Sequence, residues 1–404
     1  MSASLSGASS GRPVRLLSID GGGVRGLSAL VLLEQLMELS NEHRRKLELP
    51  PLEPWQMFDM IGGTSTGGLI AIMLGRLRLS IPECKKAYMD LSEKAFTPKN
   101  FISRQIGVAT VRSKFWAEPL EDAIKSLIGD DWESKLLRDD DPVCKVFVVS
   151  HLQDYTTHAV LRSYRNFRKP RATLDAMRIW QACRATSAAL TFFDSIIIDG
   201  STYSDGGLLY NNPVQLVHGE ASEVFPNQEQ LIISLGTGMG RPRVFDPHLF
   251  NVAQLLGDLA SETERTADDF YRRDDGKAAK AGQYYRFNVP DIGEVGLEEV
   301  KKLKEIKDLT ERYLEGAELG QKINSCAERL AGVCVVKEDS SPIHDAICEQ
   351  SPRPSPSPRP CRILPFPRNE DIVLRPKLFE ELETLLPPRP EYRSAALWGL
   401  GGSG

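Results

Sequence analysis

The stretch Gly63-Thr64-Ser65-Thr66-Gly67 spells G-x-S-x-G between two apolar runs. Phe58 to Ile61 leads in without a proline, and Leu69 to Leu74 leads out with the character of a buried helix. Glycines two residues either side of a serine remove the Cβ atoms that would clash in a sharp strand-to-helix bend. Such a bend is strained, and it turns the hydroxyl toward a substrate. A glycine-rich turn with a bystander serine has the same five residues. A base and an oxyanion hole elsewhere in the chain decide between the two.

A second glycine turn lies upstream. Val14 to Ile19 is strand-like, Asp20-Gly21-Gly22-Gly23-Val24-Arg25-Gly26 follows, and a helix is expected over Leu27 to Leu39. Gly21, Gly23 and Gly26 match the dinucleotide pattern G-x-G-x-x-G, but no second strand ending in an acid follows about 20 residues on. The same backbone N–H groups at a helix start make an anion site, and beside an activated serine they would hold an oxyanion. Arg25 would add positive charge there. A third stretch, Asp205-Gly206-Gly207, stands where a strand gives way to a glycine turn; it either simply makes that turn or brings Asp205 to meet Ser65 across the sheet, and Asn211 and Asn212 before Pro213 look like caps opening a helix through Val217.

Between these turns, strands alternate with helices. Strands are expected at 143–150, 157–162 and 231–235, and one ends at Asp205. Helices are expected at 82–95, 119–128, 174–187, 297–314 and 319–330. Phe96 to Trp116 is irregular and aromatic, suited to a core connection or to an apolar wall beside the site. The alternation implies an α/β fold: a mostly parallel central sheet with helices on both faces, plus a C-terminal helical extension. Residues 1–13 form a disordered leader by composition, and the run of alternating prolines at 351–360 is a linker.

Composition narrows the function. The 404 residues are 41% hydrophobic and 26% charged, so a real core is available. A net charge of −5 argues against general nucleic-acid binding and supplies no polybasic membrane anchor. Seven scattered cysteines without a C-x-x-C pair suit a reduced chain with no structural metal and no cofactor. No apolar run approaches ~18 residues, so no spanning helix is expected.

A serine nucleophile needs a base. His218 falls in the helix after Asn212, His248 in a proline-containing loop, and His151 and His158 precede Asp205. None stands out as catalytic. Taken together, Asp20-Gly-Gly-Gly-Val-Arg-Gly26, Gly63-Thr-Ser-Thr-Gly67 and Asp205-Gly-Gly207 resemble the patatin-like phospholipases. Ala185-Thr-Ser-Ala-Ala189, Asn211-Asn-Pro213 and Leu235-Gly-Thr-Gly238 extend the likeness over roughly residues 14–290. Leu190 departs from it, where proline is frequent in that family.

The resemblance implies a lipid acyl hydrolase with a histidine-free Ser65–Asp205 dyad. Gly21, Gly22 and Gly23 would form the oxyanion hole, with Arg25 supporting them and Gly63 and Gly67 shaping the elbow. The implied organisation is a hydrolase domain at 14–290, a helical extension at 291–348, a linker at 349–362 and the start of a nucleotide-binding domain at 363–404. That last piece, through residues 365–371 and 396–404, resembles the entry to the NTPase domain of NOD-like receptors. Its loop Gly399 to Gly404 stops short of the lysine and hydroxyl that bind phosphate and Mg²⁺. The resemblance therefore implies an intracellular innate-immunity receptor that acts on lipid at a membrane surface from the cytoplasm and self-assembles through its full length. A non-catalytic signalling module and a dinucleotide-binding enzyme are the competing functions.

Overall fold

The structure is a computed structural model that describes residues 12–96, 113–168, 175–189, 192–239 and 252–332. Its centre is an eight-stranded sheet. The strands are β1 (Val14–Ile19), β2 (Met60–Thr64), β3 (Lys145–Leu152), β4 (Thr157–Arg162), β5 (Ile196–Ile198), β6 (Ser201–Asp205), β7 (Gln230–Leu235) and β8 (Tyr284–Phe287). The run β3-β2-β1-β7-β8 is parallel throughout. Both faces of this run are buried, which is why β1 and β3 are apolar almost without interruption. Leu17, Ile19, Val146 and Val148 point into one core layer, and Leu16, Phe147 and Val149 into the other.

The antiparallel additions decide where the glycine turns meet. β4 pairs with β3 over Phe147 to Leu152, while β2 pairs with β3 over Lys145 to Val149. The two must therefore use opposite edges of β3. β6 also pairs with Ser150 to Leu152, so it takes the edge that β2 has just vacated. Thr64 stands opposite Val149 and Asp205 opposite Ser150, one residue further along. The end of β2 and the end of β6 thus converge on a single point of one edge.

Helices α1 (Gly26–Lys46), α2 (Thr66–Ala71), α3 (Ile81–Ala95), α4 (Glu118–Ile128) and α5 (Ile179–Thr186) cover the first layer. α6 (Val214–Val224) and α7 (Val252–Arg272) cover the second. The pair α8 (Leu303–Leu314) and α9 (Ala317–Ala331) packs on α1 through Ile306, Leu319, Ile323 and Leu330. This packing explains why α1 runs to Lys46 rather than ending near Leu39. Its last turns are paired, His43 with Asn324 of α9 at 3.0 Å and Arg44 Nε with the Pro50 carbonyl at 2.8 Å. The expected helix from Leu297 begins only at Leu303, because the Leu297 carbonyl is held by the Val24 N–H. α5 starts at Ile179, where the Arg178 N–H donates to Gln181 Oε1 at 2.9 Å; residue 174 lies outside the described residues. The leader up to residue 11, His248 and everything from residue 333 onward, including the proline-rich segment and the glycine-rich end, also lie outside them.

One buried ion pair ties β4 to α6. Arg162 Nη2 and Nε donate to the two Glu220 oxygens at 2.6 and 2.7 Å, and Tyr164 Oη adds a third bond at 2.9 Å. Both partners are under 10% exposed. Removing one partner of such a pair strands the other charge. Glu220→Ala is expected to cost about 3–5 kcal/mol, read as a lower urea midpoint at unchanged slope.

Candidate active site

Ser65 occupies the turn between β2 and α2 with φ 54° and ψ −125°. That conformation costs a non-glycine residue on the order of 1–3 kcal/mol, so the surroundings must enforce it. They do so by close packing. A Cβ on Gly63 would stand 2.1 Å from the Gly67 carbonyl oxygen, and one on Gly67 would stand 2.3 Å from the Ile19 oxygen. Neither position accepts a side chain. The Ser65 N–H donates to Thr186 Oγ1 at 3.0 Å, and Thr186 Oγ1 in turn donates to the Val149 carbonyl at 2.6 Å. The elbow is therefore pinned from α5 and from β3 together.

Ser65 Oγ donates directly to Asp205 Oδ2 at 2.5 Å, with no imidazole between them. Asp205 Oδ1 accepts the Gly207 N–H at 2.7 Å, a bond made available by the turn after β6. Asp205 is 6% exposed, and burial pushes its carboxyl up to about 6; the bonds from Ser65 and Gly207 pull the other way. His218 Nδ1 instead faces Gln230 at 2.8 Å, and His151 Nδ1 faces Ser204 at 3.2 Å.

The glycine loop lies against this pair. A Cβ on Gly21 would come within 3.0 Å of Ser65 Cβ. The three glycines nevertheless differ. The Gly21 N–H donates to the Asn211 carbonyl at 3.1 Å, and its own carbonyl accepts from Thr237 Oγ1 at 2.7 Å and Asn211 Nδ2 at 3.3 Å. The Gly22 N–H donates to Thr66 Oγ1 at 3.1 Å. Gly23, at φ 55°, lines the cleft beside Ser65. Arg25 is buried and donates to the Gly22 carbonyl at 3.4 Å and to the Gly293 carbonyl at 3.3 Å. Burial lowers its guanidinium to about 10. Its charge thus acts on the Gly22–Gly23 peptide, polarising the unit whose far end is the Gly23 N–H. The Thr66 N–H, first in α2, has no intrahelical acceptor by position.

The cleft holds ≈540 Å³ of non-atom space, solvent at its mouth included. Beside Ser65, Thr66 and Gly23 its lining is mostly apolar, with Leu69, Leu91, Ala95, Phe96, Leu120, Phe192 and Phe193. Phe96 and Phe115, from the aromatic stretch, are part of this region; residues 97–112 between them lie outside the described residues. Several supporting residues had no clear sequence signal. Thr186 lies in Ala185-Thr-Ser-Ala-Ala189, a stretch that extends the family likeness without giving the threonine a role. Tyr88, whose hydroxyl donates to the Gly23 carbonyl, sits on an amphipathic helix whose spacing marks it only as core. Leu297 was expected inside a helix.

The α/β sheet with a strained serine elbow at a strand end defines the general class, a fold of the hydrolase kind. The model of the patatin-like phospholipase family matches residues 17–218, and the chain belongs to that family. The chain is 30% identical over 334 residues to calcium-independent phospholipase A2-gamma of Rattus norvegicus, covering 80% of this chain and 40% of that protein. It is 30% identical over 279 residues to patatin-like protein 2 of Arabidopsis thaliana, covering 61% and 64%. It is 26% identical over 335 residues to phospholipase A I of the same plant, covering 69% and 25%. The chain thus spans about two fifths of the length of the rat relative.

Thr186→Val keeps the shape and removes the acceptor for the Ser65 N–H. A loss of about 1–3 kcal/mol in unfolding free energy is expected from the stranded donor, measurable by urea denaturation beside the wild type.

Proposed function

We propose that the chain is a serine acyl hydrolase for lipid esters, of phospholipase A or acylglycerol lipase type, working through a Ser65–Asp205 dyad. The direct bond from Ser65 Oγ to the buried Asp205 at the head of an apolar cleft carries this reading. Family membership and relatives named as phospholipases support the substrate class. Asp205 takes the Ser65 proton as Oγ attacks the ester carbonyl, and returns it to the departing alcohol. Water then attacks the acyl-Ser65 carbonyl and gives its proton to Asp205, and the freed Oγ recovers it as the acid leaves. The N–H groups of Gly23 and Thr66 receive the oxyanion in both halves, and one such donor is worth roughly 3–4 kcal/mol.

A free aspartate near 3.9 is a weak base toward serine. Burial that lifts Asp205 to about 6 brings it closer to the working pH. The buried carboxyl sits at about 6, above the ordinary 3.8, and the dyad works only with Asp205 ionised. kcat/KM is therefore expected to rise with pH through about 6 and level off above it; a limb centred near 4 contradicts the buried base. Ser65→Ala and Asp205→Asn are expected to lower kcat on the order of 10⁴-fold, with His218→Ala unchanged. Equal rates in the wild type and both dyad variants sink the mechanism.

Among the described residues no helix is long and apolar enough to cross a membrane. We infer action at the surface of lipid assemblies, from the cytoplasmic side. The role as effector of a NOD-like receptor rests on residues 363–404, which lie outside the described residues. It predicts that protein extended through a whole nucleotide-binding domain binds nucleotide and self-associates. A monomer indifferent to nucleotide contradicts it.

A further inference from the structure

The cleft has two walls, and both begin at Ser65. On one side the wall starts at Tyr88 within α3, whose hydroxyl donates to the Gly23 carbonyl, and continues through Leu91 and Ala95 to Phe96 just past the helix end. On the other, the chain leaves Thr186, which holds the Ser65 N–H, and presents Ser187, Ala189, Phe192 and Phe193. The walls converge on one aromatic cluster. Phe96 lies 5.2 Å from Phe115, 6.3 Å from Phe192 and 6.0 Å from Phe193, centroid to centroid. Phe115 also stacks on Phe192 at 6.0 Å and an interplanar angle of 13°. The Phe115 N–H donates to the Phe192 carbonyl at 2.9 Å, so backbone as well as rings ties the segments together. Arg184, almost fully buried, sits 5.8 Å from the Phe193 ring centroid and fixes that side. Phe115, Phe192 and Phe193 are all at most 5% exposed.

We infer that Phe96, Phe115, Phe192 and Phe193 close the far end of the cleft and restrict the acyl group to a medium chain. The length comes from the helix that forms one wall. Tyr88 to Phe96 is eight residues of about 1.5 Å rise, so this wall is ~12 Å long. Carbon–carbon bonds of about 1.5 Å project to roughly 1.25 Å along a zigzag, so ~12 Å takes about ten carbons. A longer chain must displace buried, mutually packed rings, and a shorter one leaves apolar lining wet. This inference rests on the acyl-hydrolase reading and adds a specificity to it.

The test is the chain-length profile of kcat/KM on p-nitrophenyl esters from C4 to C16. The wild type is expected to peak near C10 and to fall at least about tenfold by C16, within the range that pocket size discriminates. A profile that keeps rising to C16 overturns the inference without any variant. Phe192→Ala is expected to raise the C16-to-C10 ratio about tenfold, and Ala95→Phe to lower the C10-to-C4 ratio by a similar factor. Ratios unmoved in folded variants count against the cluster. Hydrolysis that survives Ser65→Ala, or no hydrolysis of any ester, removes the acyl-hydrolase reading and this inference with it. A Ser65-dependent but flat profile removes the inference alone.

Discussion

The hydrogen bond of 2.5 Å from Ser65 Oγ to Asp205 Oδ2 is the contact that the rest of the molecule serves. Its partners lie 140 residues apart, and one edge of β3 brings them together. β2 runs along that edge as far as Val149, and β6 takes over at Ser150 from the opposite direction. A slip of one residue in either pairing would turn every side chain of that strand to the other face. For β2 such a slip would exchange the places of Met60 and Ile61, which fill opposite core layers.

The pair carries an energetic cost that the fold sustains. A buried carboxyl lifted from 3.8 to about 6 prefers its neutral form by about 3 kcal/mol more than a free one. The elbow adds backbone strain at Ser65. Three clamps hold these unfavourable features in place. Thr186 bridges the Ser65 N–H to β3. Asn211 and Thr237 fix both ends of the Gly21 peptide. Asp20, at the root of the glycine loop, is bound by Arg286 at 2.7 Å, and Arg286 is bound in turn by Glu264. These bonds hold the loop in place, as the proposed oxyanion site requires.

What was legible in the sequence was mainly what glycine and apolar runs encode. The elbow at Gly63 to Gly67 needs residues without Cβ atoms, and no other residue type meets that need. The parallel strands are apolar runs because both faces are covered, and they stood out for that reason. The turn at Asp205 offers a meeting with Ser65 across the sheet, but the same three residues also make a plain turn, and only the family resemblance chooses the pair. Tertiary context governed the rest. α1 outran its periodic stretch because Asn324 and the Pro50 carbonyl pair its polar end. Leu297 left its helix to brace Val24. The reversed direction of β6, which delivers Asp205, depends on an edge of β3 being free. The fate of the three glycine N–H groups was hidden in the same way, since Asn211 and Thr66 engage two of them and neither partner was legible as such.

The most direct measurement is where a covalent ester mimic lands. An alkyl fluorophosphonate, traced by mass spectrometry, reports which hydroxyl is activated. The account predicts a single adduct on the peptide containing Ser65, lost in Asp205→Asn protein that remains folded. An adduct on another residue, or labelling of Ser65 at the wild-type rate without the Asp205 carboxylate, would contradict it.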